Sequence, residues 1–127
     1  MSNIRHVVVV RKDLNLSVGL LAAQVAHISD QFIMEKILDG VGSPNFSPNE
    51  WEWLRAPYLT VLSVNCKEDL DMISKEAVEN GLKVRSWDDL FPSPTFPNVS
   101  IHTRIGISIG PDDSDKIKIV TGKLPLL

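Results

Sequence analysis

Several things are scarce in this chain. There is one cysteine, Cys66, in 127 residues, so no internal disulfide can form and a reducing compartment suits the protein. No apolar run approaches the roughly 20 residues that a membrane-spanning helix needs, and no charged-then-apolar leader opens the chain. The expectation is a soluble, cytoplasmic protein with no membrane partner. Motifs that announce their chemistry are also missing: no glycine-rich phosphate loop, no HExxH pair, no paired-cysteine site and no nucleophile elbow. His6, His27 and His102 lack metal-ligand spacing, so no metal and no cofactor is expected. Positive charge is not in excess, since the net charge is −3 and the pI about 5.5. A nucleic-acid binder usually shows a basic footprint; here one would have to come from clustering of Arg5, Arg11, Lys12, Arg85 and Arg104.

What is present is 43% apolar and 23% charged residues, ordinary for a globular protein, at a length that fits one domain over 1–127. Residues 4–11 hold a continuous valine run that reads as a strand buried on both faces. Residues 17 to about 38 read as a helix, with Ser17 as N-cap and Gly40 as its stop. A loop with at most one short helical turn follows, over 40–57. Tyr58–Val64 reads as a second strand, Cys66–Asn80 as an amphipathic helix ended by Asn80-Gly81, and Leu82–Trp87 as a short third strand. Residues 88–101 hold three prolines and are expected to form no regular element. Arg104–Ile109 reads as a fourth strand, and Asp112–Val120 as a last helix opened by Gly110-Pro111. The alternation of strands and helices predicts an α/β fold: three layers, α/β/α, around a four-stranded mixed sheet. A homodimer would be built through an exposed apolar stripe or the edge of the second strand.

Gln24 and His27 stand out in the otherwise apolar stretch Leu20–Ile28 of the helix and, three residues apart, share a face. A glutamine amide orients a carbonyl or a water, and a histidine can carry protons; the other reading is that both only brace the turn after the first strand. Asp13 reads as a turn residue. Asp88 and Asp89 end the third strand, where a carboxylate either serves a site or caps a turn. Thr103 has a bland reading as a β-former, Cys66 as a small buried thiol, and Trp51, Trp53, Trp87, Phe91 and Phe96 as packing under loops.

Taken in order, these segments resemble the second type of peptidyl-tRNA hydrolase, found in archaea and eukaryotes. Arg11-Lys12-Asp13-Leu14 followed by Gly19-Leu20-Leu21-Ala22-Ala23-Gln24-Val25-Ala26-His27 is similar to that family's opening signature. Asn80-Gly81-Leu82 leads to Asp89 at the place of the family's strand-end aspartate, and Thr103, Ile109-Gly110-Pro111 and Val120-Thr121-Gly122-Lys123-Leu124 match its closing segment. The resemblance implies hydrolysis of the ester joining a peptide to tRNA, with peptidyl-tRNA as the partner. It also implies catalytic roles for Asp89, Gln24, Thr103 and His27, and substrate contacts from Gly19, Lys12, Arg104 and Asp13. The family's two lysines flanking the helix-opening glycine are Val18 and Leu20 here, and its second threonine is Ile105. These departures predict a slow hydrolase; the alternative is a non-catalytic relative that uses the same cleft for a small ligand or a protein partner.

Overall fold

The computed structural model describes residues 3–39, 42, 44–92, 96 and 98–127. Its elements run β1 (Ile4–Arg11), α1 (Val18–Asp39), α2 (Pro48–Arg55), β2 (Leu59–Val64), α3 (Lys67–Glu79), β3 (Val84–Pro92), β4 (Ser100–Asp113) and α4 (Ser114–Thr121). The sheet has the order β2-β1-β4-β3, with β1 parallel to β2 and antiparallel to β4, and β3 antiparallel to β4. The expected mixed four-stranded α/β sheet is therefore present.

The valine run explains the centre. In a strand successive side chains face opposite ways, so Val7 and Val9 join Ile107, Ile109, Leu70 and Ile117 beneath α3 and α4. Val8 and Val10 pack on Ile28 of α1. His6 shares their face, where its ring meets Phe32 and Trp53 edge-on at 5.2 and 4.9 Å. It is fully buried, and among the described residues neither ring nitrogen has a hydrogen-bond partner. Burial above all, with Arg85 nearby, lowers its pKa from 6.5 to about 4 against a smaller upward pull from Glu50. At Gly106 the layers touch: a Cβ there would lie 2.6 Å from the Val9 carbonyl and 2.8 Å from Ile28 Cδ1. Only a residue without a side chain lets α1 settle this close to the sheet.

Four expectations need correction. The loop after α1 contains a full helix, α2, opened by a capping box in which the Ser47 hydroxyl accepts from the Glu50 N–H and Glu50 accepts from the Ser47 N–H. Residues 88–92 belong to β3, because β3 is an edge strand and an edge tolerates proline. The fourth strand extends to Asp113, so Gly110-Pro111, joined by a cis peptide, lies inside β4 and starts no helix. Asp113 caps α4 instead, accepting from the Asp115 N–H at 2.9 Å. Cys66 is half-exposed at the N-cap of α3 and is not the buried thiol expected. The expected stop at Gly40 falls outside the described residues.

The outer edge of β2 is covered by the chain itself. Ser63 donates its N–H to the Pro125 carbonyl at 3.0 Å, Leu127 donates to the Val61 carbonyl at 3.1 Å, and Leu62 bridges Leu126. Among the described residues no helix is long and apolar enough to cross a membrane.

Candidate active site

The helix α1 is not buried as its composition suggests. Its inward face is Gln24, Ile28 and Phe32, four residues apart, while Val18 is 86% exposed and Leu20 44%. The one polar member of that stripe has a partner for each end of its amide. Gln24 Nε2 donates to Asp89 Oδ2 at 2.9 Å, and Trp87 Nε1 donates to Gln24 Oε1 at 2.7 Å. Trp87 and Asp89 reach the same helix because residues two apart on a strand share a face. Asp89 Oδ1 accepts from the Leu90 N–H at 2.8 Å. The Gln24 amide first, then the Leu90 N–H, hold the Asp89 carboxyl below the usual carboxylate range, with His27 and His102 adding to this and desolvation opposing it. His27 lies outside the hydrogen-bonded chain: its exposed ring stacks on Trp87, 5.0 Å away and tilted 17°.

Thr103 is the cross-strand partner of Asp89. Between Trp87 and Asp88 the register slips, leaving Ile105 of β4 without an opposite residue, as in a β-bulge. Arg11 straddles this place. It donates to Thr103 Oγ1 at 2.8 Å and to the Arg104 carbonyl at 3.0 Å, while Asp13 grips its other nitrogens at 3.0 and 2.8 Å. The guanidinium has only donors, so the Thr103 oxygen must accept from it, and the Thr103 O–H is left to donate elsewhere. Asp13 is thus the ion-pair partner of Arg11, beyond a turn residue.

The remaining residues are placed as follows. Gly19 lies in the first turn of α1, exposed, with nothing within 4 Å of where a Cβ would be. Lys12 is exposed and has no ion pair among the described residues; it lines a cleft of about 400 Å³ with Arg11, Asn15, Leu16, Leu21 and Leu127. Arg104 is not brought to Gln24 and Asp89. It pairs with Asp71 of α3 at 3.1 Å and with Asp88 of β3 at 3.4 Å. Nor do the strand arginines form one basic patch: Arg5 lies over the Tyr58 ring and Arg85 pairs with Glu35. Arg11 and Trp87 are the residues that sequence reasoning missed. The spacing of Trp87 and Asp89 on one strand was the available signal for Trp87.

The profile of the family described as Peptidyl-tRNA hydrolase PTH2 matches residues 4–127. The chain belongs to that family. Curated relatives named peptidyl-tRNA hydrolase include one from Methanopyrus kandleri, 37% identical over 97% of either chain. Another, from Nanoarchaeum equitans, is 33% identical over 97% of this chain and 98% of the relative. A solved structure of a protein of unknown function from Agrobacterium superposes with a TM-score of 0.61 at 14% identity, covering 100% of this chain and 99% of that one; this likeness concerns the fold alone. Within the PTH2 family likeness, the Gln24–Asp89 pair joins two segments of the signature that the sequence keeps 65 residues apart.

Proposed function

We propose that this chain, acting as one domain over 1–127, hydrolyses the ester bond of peptidyl-tRNA with Asp89, Gln24 and Thr103 at the reacting ester. The observation that carries the site is the 2.9 Å contact between Gln24 and Asp89, with Thr103 directly across the strand pair. Water must attack the ester carbonyl, negative charge develops on the carbonyl oxygen, and the ribose oxygen leaves with a proton. Asp89 is anionic, so it holds and polarises the attacking water, and the proton the water loses goes by way of the carboxylate to the departing ribose oxygen. Thr103, fixed as an acceptor toward Arg11, directs its own O–H to the developing oxyanion. The exposed N–H groups and dipole at Gly19 suit a phosphate or the oxyanion, with Lys12 as the adjacent cation and Asp13 keeping Arg11 in place. His27 offers a flat, open ring beside the site for a nucleobase to stack on. A peptidyl-tRNA substrate is in keeping with a cytoplasmic protein. For the expected homodimer, Met34, Ile37 and Leu38 of α1 offer the exposed apolar stripe, because the β2 edge is taken.

The test is single-turnover release of peptide from peptidyl-tRNA by wild type and by Asp89→Asn. Loss of a positioned acid–base group costs roughly a hundred- to ten-thousandfold, so the variant is expected to fall by that order. A variant within threefold of wild type would exclude Asp89 from the chemistry. Binding of tRNA without any turnover by wild type would favour the non-catalytic reading.

A further inference from the structure

We propose that Trp87 is a positioning residue whose indole N–H fixes which way round the Gln24 amide sits, so that its NH₂ group faces the Asp89 carboxylate. The proposal rests on the reading of Asp89 as the group that holds the water. The two ends of a glutamine amide have nearly the same shape, so packing alone does not choose between them. An indole nitrogen only donates. At 2.7 Å from Trp87 Nε1, therefore, the amide must present Oε1, and Nε2 is left for Asp89 Oδ2 at 2.9 Å. With the amide turned over, a carbonyl oxygen would confront the carboxylate, an arrangement that favours protonated Asp89. Gln24 is buried at 5% exposure, where an unmatched polar end is expensive. His27 stacked on the indole and the buried Leu14 and Ile105 cluster that the indole packs against hold the ring in place. No other uncharged side chain combines a flat ring for this stack with a donor that cannot accept.

The variant to make is Trp87→Phe, which keeps an aromatic ring for His27 and removes the N–H together with part of the indole's bulk. Two readouts separate orientation from packing: the pH titration of the Asp89 side-chain carboxyl carbon by NMR, which needs no substrate, and the pH profile of single-turnover hydrolysis. The expected result is an Asp89 titration that moves to higher pH. The acid limb of the rate profile should move with it, so the rate falls several-fold on the acid side with KM unchanged. A Trp87→Phe protein whose Asp89 titrates as in wild type overturns the proposal, even where Trp87→Leu is unstable, because Trp87 would then serve packing only. Wild type alone supplies a check that does not depend on the variant folding: its Trp87 indole proton should exchange slowly with solvent, and fast exchange would also overturn the proposal. If wild type releases no peptide from peptidyl-tRNA, the hydrolase reading fails, while the titration still decides the role of Trp87.

Discussion

Acid should unfold this protein through His6, and the size of the effect follows from its burial. Above pH 6.5 the imidazole is neutral in both folded and unfolded chains, and stability is at its full value. As pH falls below 6.5 the unfolded chain binds a proton that the folded core refuses until about pH 4, so stability declines over that window and levels off below it. At about 1.36 kcal/mol per pH unit, the gap between 6.5 and about 4 amounts to about 3 kcal/mol in total. About 2 kcal/mol of that is already lost at pH 5. Domains are stable by only about 5–15 kcal/mol, so this one side chain commands a large share. The comparison is urea unfolding at pH 7.5 and pH 5 for wild type and for His6→Leu, which keeps similar volume between Phe32 and Trp53. Wild type should lose about 2 kcal/mol more than the variant, a midpoint difference of about 1 M at a urea slope of about 1–3 kcal/mol per M. Taking the difference cancels the carboxylates and the other histidines. Equal acid losses in the two proteins would refute the argument, and would mean that the folded core accepts the proton.

Two further outcomes are expected. Val18→Lys with Leu20→Lys, both at exposed positions, should change stability by less than about 0.5 kcal/mol. It should also raise the hydrolysis rate at low salt and steepen the salt dependence of tRNA binding by about 0.7–0.9 in log–log slope for each phosphate engaged. An unchanged slope would mean the start of α1 does not meet the tRNA backbone. Gly106→Ala should cost about 1–3 kcal/mol from overpacking, because its Cβ would press on the Val9 carbonyl and Ile28. A urea midpoint equal to wild type would show that α1 can ride higher on the sheet than described.

The first strand and helix were legible because a run of valines with no alternation fits only a strand buried on both sides. The orientation of α1 was not, since its first half, Leu20–Ile28, is nearly apolar all round and gives no periodicity to choose its inner face. The structure inverts the simple expectation, burying Gln24 while leaving Val18 and Leu38 exposed, because the polar side chain finds two partners on β3. The ends of β3 and β4 were hidden for a different reason: proline is a poor strand residue except at an edge, and the sequence does not say which strands lie at the edges. Family likeness named Gln24, Asp89 and Thr103 but could not join them. Their meeting depends on β3 pairing with β4 across a slipped register and on α1 crossing above, both of which are tertiary. The role of Arg11 was hidden because its contacts with Thr103 and Arg104 lie 92 and 93 residues away.

The strand of backbone that seals β2 has a consequence in time. An unpaired edge offers its N–H and C=O groups to any neighbouring chain, and residues 125–127 are synthesised after all four strands. While the chain is growing, the outer side of Val61–Ser63 therefore waits uncovered, with β1 already available on its inner side. Pairing of β1 with β2 can come before the segment that closes their outer flank exists, and the last part of the chain to be made is the one that shields this edge.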